Sequence, residues 1–151
     1  MSILRKAVTR DSESIFKLIN PYAEENIILK RTVEDIEESI EKFIVAVDRE
    51  KIIGAVSYYD YGAGLKEIRS LAVRDDYKKT GVGSKLTSAV VGELLQTGSV
   101  KIFALTYSPG FFVKNRFHIV DKGTLPDKIW KDCRYCKNRD NCTETAVVFN
   151  G

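Results

Sequence analysis

The segment from Lys78 to Ser84 reads KKTGVGS and lies between an apolar strand pattern and an apolar helix pattern. A helix that begins at this point directs several backbone N–H groups outward at the positive end of its dipole. The lysines add positive charge, and Gly81 lets an anion approach the backbone without a Cβ in the way. The alternative is a tight strand-to-helix turn that binds nothing. We predict an anion site made of Lys78, Lys79, Thr80, Gly81, Val82, Gly83 and Ser84.

Two known phosphate-binding motifs do not fit this spacing. A P-loop requires GxxxxGK[ST], which the sequence lacks, and a dinucleotide-binding turn requires a third glycine where Leu86 stands. The predicted anion is therefore not a nucleotide bound in either of these two ways.

A second candidate binding site precedes the helix pattern that starts at Thr32. Lys30 and Arg31 come immediately before this capping residue. Positive side chains at a helix N-terminus oppose the dipole, and a bound carboxylate would offset that cost. Arg31 could hold a carboxylate by two parallel hydrogen bonds. The pair is therefore either a carboxylate site or two solvated basic residues in a loop.

Three cysteines form the remaining candidate site. Cys133 and Cys136 have CxxC spacing and Cys142 follows, within a segment that we place at residues 126–143. Two thiolates of a CxxC loop can bind one Zn²⁺, but a closed site requires a fourth ligand, and His118 is the only histidine. An acidic side chain, water or a partner chain would have to complete the set. Thiols that only pack the segment are the favoured alternative, because a lone CxxC is weak evidence.

Length and composition predict one globular domain over residues 1–151. Apolar residues make up 44% of the chain and charged residues 30%, and the formal net charge of +3 is too small to indicate a nucleic-acid partner. The sequence has no run of about 18 apolar residues, and MSILRKAV is too short and too charged for a secretory signal. We therefore expect a cytoplasmic protein without a membrane partner. A homodimer would cover exposed sheet edges.

Hydrophobic periodicity predicts the elements that position these residues. The predicted order is strand, helix, helix, three strands, helix, strand, helix and two strands, around a largely antiparallel sheet. One parallel connection is expected between residues 67 and 107. Pro21 and the polar stretch after it are predicted to end the first helix. The predicted strands are residues 2–8, 43–47, 52–59, 67–73, 101–107, 117–120 and 144–149, and the predicted helices start near Thr9 or Asp11, Thr32, Gly81 and Ser108.

The order of these elements and the segment Lys78-Lys79-Thr80-Gly81-Val82-Gly83 resemble motif A of the GNAT acetyltransferase superfamily. The resemblance implies the GNAT acyl-CoA N-acyltransferase fold, an α/β (α+β) domain with a mixed, mostly antiparallel sheet flanked by helices. It also implies acetyl-CoA as cosubstrate, with its pyrophosphate at this segment and its pantetheine arm along the backbone of Leu71, Ala72 and Val73. Lys78 stands where Gln or Arg is usual, which keeps the charge but not the planar donors.

Acetyl transfer to an amine requires a base for the ammonium proton, donors for the developing oxyanion and an acid for the leaving thiolate. By the same resemblance Glu67 is the base, acting directly or through water, and the alternative is an exposed glutamate at a strand start. Phe112 replaces the tyrosine that often supplies the acid. Tyr107 is therefore the candidate acid and Ser108 a weaker one, and the alternative for Tyr107 is a buried core residue.

A narrower resemblance rests on the blocks LKRTVEDIEESI, EIRSLAV, IFALTYSPGFF and LPDKIWKDC, in this order. These blocks are similar to the acetyltransferase domain of N-acetylglutamate synthases, particularly the short single-domain form. The match implies acetyl transfer to the amino group of L-glutamate in arginine biosynthesis, with Leu29 (through its backbone), Lys30, Arg31 and Ser70 beside the substrate. Arg116 stands where the family has glycine. Alternatives are another GNAT acceptor, such as glutamine, another small amine or a protein N-terminus, or a non-catalytic domain that senses acyl-CoA or metal.

Overall fold

The computed structural model describes residues 2–25, 30–98, 101–121 and 145–150. In these ranges seven strands form one sheet in the order β1-β2-β3-β4-β5-β7-β6, and four α-helices accompany it. The strands are β1 Ile3–Lys6, β2 Ile44–Asp48, β3 Lys51–Gly62, β4 Leu65–Val73, β5 Lys101–Thr106, β6 Phe117–Val120 and β7 Thr145–Phe149. The helices are α1 Ser12–Glu24, α2 Val33–Glu38, α3 Val82–Gln96 and α4 Pro109–Lys114.

The sheet is antiparallel except where β4 pairs with β5 in parallel. The connection between these two strands passes through α3, as a parallel crossover requires. The predicted mixed sheet, its single parallel connection and the order of the elements are therefore confirmed.

Two apolar layers lie on opposite faces of the sheet. One layer contains Leu86, Val90 and Leu94 of α3, which are completely buried together with side chains of β2, β3 and β5. The other layer contains Ile15 of α1 and Ile36 of α2, also completely buried. Along each helix the apolar residues recur every three or four positions, and the helices were predicted from this periodicity.

The first helix begins and ends close to the predicted positions, with Asp11 as its N-cap residue. α1 passes through Pro21 and ends at Glu24, within the polar stretch that follows, and the Glu25 N–H donates to the Pro21 carbonyl at 3.3 Å. Pro21 itself supplies no backbone donor to the helix. At the other end, the Asp11 carboxylate accepts from the Val8 N–H at 2.8 Å and pairs with Arg5, so it fixes the turn before the helix.

The hairpin of β3 and β4 is longer than predicted. Ala63 and Gly64 both have positive φ angles, 55° and 80°, which is the backbone of the tightest two-residue hairpin turn. Pairing therefore continues to Gly62 opposite Leu65. This extension places Tyr61 and Glu67 within the same paired region of the sheet.

None of the helices in the described ranges is long and apolar enough to cross a membrane.

Candidate active site

The turn before α3 has the backbone expected of an anion site. Gly81 is the N-cap of α3 with φ of 90°, in the left-handed region that glycine adopts without strain. The Lys85 N–H donates to the Gly81 carbonyl at 3.0 Å, so the N–H groups of residues 82–84 precede the first bond within the helix. A Cβ on Gly81 would meet nothing within 4 Å. The helix start is thus open to a ligand.

Gly83 serves a different purpose from Gly81. A Cβ at Gly83 would come within 3.2 Å of Cε1 of Phe111, which lies in α4. The absence of a side chain therefore lets α4 pack against the first turn of α3. Of the two glycines, only Gly81 has a backbone conformation that favours glycine over other residues.

The lysines of the turn differ in their surroundings. The Lys78 Nζ lies 3.0 Å from the Asp75 carboxylate and 4.8 Å from the centroid of the Tyr22 ring. Tyr22 and Asp75 raise the pKa of Lys78 above its ordinary value, so its charge persists at neutral pH. The Tyr22 hydroxyl also donates to the Val73 carbonyl at 2.9 Å. Both lysines are exposed, but Lys78 is tied to the end of β4 by these contacts, and Lys79 has φ of 66°.

A gap opens between β4 and β5 beside this turn. β4 pairs with β5 only from Leu65 to Glu67, and no strand in the described ranges pairs with this edge of β4 further along. The Arg74 N–H donates to the Ile53 carbonyl on β3 at 2.8 Å. By strand alternation the Ala72 N–H also faces β3, while the N–H groups of Leu71 and Val73 face the gap. The gap therefore offers backbone donors to an extended ligand.

A β-bulge interrupts β4 at Ser70. Its φ is 54°, and the register between β3 and β4 shifts between Ala55 and Ser57. The bulge turns the Ser70 hydroxyl toward the face that carries Ser57, Tyr59 and the Arg69 guanidinium. We call this face, with Arg31 above it and Glu67 at its edge, the acceptor face, because the sequence predicts Arg31 and Ser70 to lie beside the acceptor.

Arg31 joins the segment before α2 to the acceptor face. Its guanidinium donates to the hydroxyl of Ser57 at 3.3 Å and to that of Ser70 at 3.5 Å, and it lies 5.1 Å from the centroid of the Phe43 ring. It also donates to Ser39 at 2.7 Å and pairs with Asp35 at 3.0 Å. The structure thus brings together Arg31 and Ser70, which the sequence separates by 39 positions.

The residues next to Arg31 in the sequence are placed as follows. Thr32 caps α2, because its hydroxyl accepts from the Asp35 N–H at 3.1 Å. The Asp35 carboxylate does not complete a capping box but holds Arg31. Lys30 is exposed, and Leu29 lies outside the described residues.

Glu67 is buried, contrary to the alternative of an exposed strand-start residue. Its Oε1 accepts from the Tyr61 hydroxyl at 3.0 Å and from the Arg69 Nε at 2.7 Å. Neither partner was identified from the sequence. Arg69 could have been, since it lies two positions from Glu67 on a strand and so on the same face. Tyr61 required the register of β3 against β4.

Comparison with known proteins assigns the family. The acetyltransferase (GNAT) family matches residues 10–117. An uncharacterized N-acetyltransferase of Chlorobaculum tepidum is 37% identical over 96% of this chain and 94% of its own length. The chain belongs to the acetyltransferase (GNAT) family. It is accordingly an acetyl-CoA-dependent acetyltransferase, and the predicted fold, enzyme class and cosubstrate are confirmed.

Longer enzymes and solved structures are also similar to this GNAT chain. The amino-acid acetyltransferase of Shewanella oneidensis is 33% identical over 83% of the chain, which spans 28% of that enzyme. N-acetylglutamate synthase from Neisseria gonorrhoeae, complexed with coenzyme A and N-acetyl-glutamate, superposes with a TM-score of 0.88 at 24% identity. That match covers 99% of this chain and 35% of the synthase. The likeness in structure supports the fold.

The described residues fit acetyl-CoA. The open helix start at Gly81 offers N–H groups to a pyrophosphate, and the exposed Lys79 adds charge. The gap beside Leu71 and Val73 offers strand-like donors to a pantetheine arm. These two features adjoin each other at the end of β4.

The candidate acid lies on the next strand. Tyr107 follows the end of β5 and is 40% exposed, so it is not the buried core residue of the alternative. Phe112 is 5% exposed and packs edge-to-face against Phe117, which explains why that position supplies no phenol. Because Glu67 is level with Phe103 in the sheet, Tyr107 lies about 13 Å further along the strand direction.

The three cysteines considered as metal ligands are not among the described residues. Cys133, Cys136 and Cys142 all lie outside them. His118 is exposed on β6 and its ring is hydrogen-bonded to Asn150. In the ranges that the structure covers, no three His, Cys, Asp or Glu side chains are grouped so as to hold a metal ion.

Proposed function

We propose that the chain transfers an acetyl group from acetyl-CoA to the α-amino group of L-glutamate, the entry reaction of arginine biosynthesis. The observation that carries the proposal is the acceptor face, where the Arg31 guanidinium meets the Ser70 hydroxyl on the strand that bears Glu67. A dicarboxylic amino acid requires cationic donors for its carboxylates and a base for its ammonium group, and this face presents both.

The relatives support an amino-acid acceptor. Among curated relatives are the amino-acid acetyltransferases of Shewanella oneidensis and Escherichia coli, the latter 31% identical over 82% of the chain. The Neisseria synthase was solved with N-acetyl-glutamate. The first two enzymes extend far beyond the aligned region, so glutamate as the acceptor of this chain remains our inference.

The residues of the chain would divide the work as follows. The turn at Lys78, Lys79, Thr80, Gly81, Val82, Gly83 and Ser84 holds the pyrophosphate, and the N–H groups of Leu71 and Val73, with Ala72 between them, line the path of the pantetheine arm. When bound, acetyl-CoA supplies the thioester carbonyl that the amine attacks. Leu29, Lys30, Arg31 and Ser70 hold the carboxylates of the acceptor, and Arg31 provides the planar donors.

Two side chains would handle the protons. Glu67 accepts the proton of the ammonium group, directly or through water, which leaves the nitrogen lone pair available. The amine nitrogen then bonds to the thioester carbonyl carbon and the C–S bond breaks. Tyr107, at the exposed end of β5, donates its hydroxyl proton to the leaving sulfur and is reprotonated, through water, by the second proton that the acylated nitrogen loses. Because Glu67 and Tyr107 lie about 13 Å apart along the strand direction, water would carry protons over part of that distance.

The proposal is tested by incubating the protein with acetyl-CoA and a panel of amino acids while free thiol is measured. The panel contains glutamate, glutamine, aspartate, other neutral amino acids and a short peptide with a free N-terminus. We expect glutamate to give the highest kcat/KM. Turnover of neutral amines with none for glutamate contradicts the choice of acceptor, and binding of coenzyme A without turnover of any amine favours a sensor.

A further inference from the structure

Glu67 is part of a closed hydrogen-bonded set of three side chains on the acceptor face. Its Oε1 accepts from the Tyr61 hydroxyl at 3.0 Å and from the Arg69 Nε at 2.7 Å. A terminal nitrogen of Arg69 donates to the Tyr61 oxygen at 2.8 Å. Each member therefore contacts the other two, and we call the three residues the Glu67 triangle.

The orientation of Arg69 is fixed by stacking as well as by hydrogen bonds. Its guanidinium carbon lies 4.2 Å from the centroid of the Tyr59 ring, and the rings of Tyr59 and Tyr61 meet edge-to-face at 4.8 Å. The Arg69 and Glu67 side chains are 17% and 9% exposed. The Arg69 guanidinium is thus held on two sides and shielded from water. The Glu67 carboxylate bonded to it therefore has little freedom to rotate.

Within the described residues, three strands contribute groups around the carboxylate. Arg69 of β4 supplies a positive charge, and β3 supplies the titratable phenols of Tyr61 and Tyr59. β5 presents the apolar ring of Phe103, whose centroid is 5.9 Å from that of Tyr61. Lys42 lies further out, 5.9 Å from the Tyr59 centroid. Of these groups, the Arg69 guanidinium is the nearest charge to Glu67, and it favours the ionised form of the carboxylate.

An ion pair of this kind is not needed for stability alone. Burying two charges costs about as much free energy as their attraction returns, and apolar replacements are often neutral. The pair is also placed next to the bulge at Ser70 and the gap between β4 and β5, where the proposed reaction occurs. A carboxylate kept ionised and in one orientation is what a general base requires.

We propose that Arg69 and Tyr61 are positioning residues that hold the Glu67 carboxylate through Oε1, ionised and in a fixed orientation, for removal of the acceptor's proton. This inference rests on the proposed function, because it takes Glu67 as the base. It adds two residues that act through Glu67 and do not bind the acceptor themselves.

The test compares Arg69→Met, Arg69→Lys and Tyr61→Phe with two matched controls. Lys66→Met removes a cation that pairs with Asp60, and Tyr58→Phe removes a phenol. Lys66 and Tyr58 are strand neighbours of the triangle whose side chains point to the opposite face. The acceptor is whichever amine of the panel the parent protein acetylates best. Steady-state kinetics across pH, affinity for coenzyme A and melting temperature are measured for every variant.

We expect Arg69→Met to lower kcat by about 10- to 100-fold, as misplaced catalytic groups do, with the acceptor's KM changed less than about threefold. Without the cation, the acidic limb of the kcat/KM profile moves to higher pH, because protonation of the carboxylate becomes easier. Arg69→Lys keeps the positive charge and should therefore show a smaller loss of kcat and a smaller shift of the acidic limb than Arg69→Met. Tyr61→Phe lowers kcat by about three- to tenfold, since one charge-assisted hydrogen bond is lost. Both controls keep the parent values.

Two outcomes overturn the inference. A raised KM with unchanged kcat in Arg69→Met would mean that Arg69 binds the acceptor. A lower melting temperature with unchanged kcat and pH profile would mean a structural ion pair only. If Arg69→Met does not fold, the two closer replacements decide the question by the same criteria.

Glu67→Gln separates this inference from the proposed function. Loss of turnover in Glu67→Gln with normal kinetics in the Arg69 and Tyr61 variants removes the positioning role and leaves the base in place. Full turnover in Glu67→Gln, or no turnover of any amine by the parent, removes the base and the positioning role together.

Discussion

The turn that follows β4 and the acceptor face on β4 itself are built by opposite means. The turn uses backbone: a glycine at φ of 90°, an open helix start and mostly exposed side chains. The acceptor face uses side chains: the charges of Arg31, Glu67 and Arg69 are largely buried and already engaged in ion pairs.

This difference follows from what each region would bind. A pyrophosphate carries the same charge and shape in every reaction that uses coenzyme A, so backbone donors and a general positive potential suffice. An acceptor has to be chosen among similar amines, and buried hydrogen-bonding groups discriminate strongly because a wrong ligand leaves them unpaired. Changes at the acceptor face should therefore alter the chemistry, while changes at the turn should alter affinity for the cosubstrate.

The largest effect is expected from Glu67→Gln. Loss of the base should lower kcat/KM by about 10²- to 10⁴-fold, while calorimetry shows the affinity for coenzyme A unchanged. Glu93→Gln is the control, because Glu93 pairs with Lys6 on the far side of α3. A kcat within threefold of the parent would contradict the role of Glu67.

The next largest effect is expected from Arg31→Ala. The KM for the acceptor should rise about 10- to 100-fold, since hydrogen bonds to charged groups contribute about 1.5–3 kcal/mol each. Affinity for coenzyme A should stay constant. Asp35→Asn is the control, because it breaks the exposed ion pair but leaves the guanidinium in place. An equal rise in KM in the control would point to disruption of α2 and not to lost substrate contact.

Gly81→Ala should act on the turn alone. A side chain in the left-handed region costs about 1–2 kcal/mol, and the exposed turn can relax when no ligand is bound. Affinity for coenzyme A should therefore fall about tenfold, while kcat at saturation is kept. Gly92→Ala on the same helix has equally open space and should stabilise the protein by about 1 kcal/mol. Unchanged affinity in Gly81→Ala would show that the turn does not contact the cosubstrate.

The smallest effect is expected from Lys78→Met. This lysine is held by Asp75 and Tyr22, both at its own end of the turn, and exposed ion pairs contribute little. Affinity for coenzyme A should change less than threefold in equilibrium titrations. A loss of tenfold or more would mean that Lys78 leaves Asp75 to contact the phosphates.

The helices and strands could be predicted because apolar periodicity and turn residues are visible within short stretches of the sequence. The strand, turn and helix around Gly81 were predicted correctly, and so was the parallel crossover that follows. The end of α1 in the polar stretch after Pro21 was also predicted, because the apolar periodicity stops there. The range of β3 was underestimated because Ala63 gives no signal of a positive φ.

The candidate site was only partly predictable for a related reason. Glu67, Arg31 and Ser70 came from blocks of resemblance, and the structure places Arg31 against Ser70. Tyr61 was missed because its contact with Glu67 depends on strand register, which no local pattern encodes. The bulge at Ser70 was equally invisible, since serine has no preference for φ of 54°.

The gap between β4 and β5 leaves the edge of β4 beyond Glu67 without a paired strand in the described ranges. A bound cosubstrate could form the backbone hydrogen bonds that a neighbouring strand would form there. Leu71 and Val73 direct their N–H groups into the gap, whereas the Ala72 N–H faces β3. In the ligand-free protein, deuterium should thus enter at positions 71 and 73 faster than at 72. Coenzyme A should slow the uptake at those two positions and leave the third unchanged, so that alternate amides along one strand report whether the sheet has been completed.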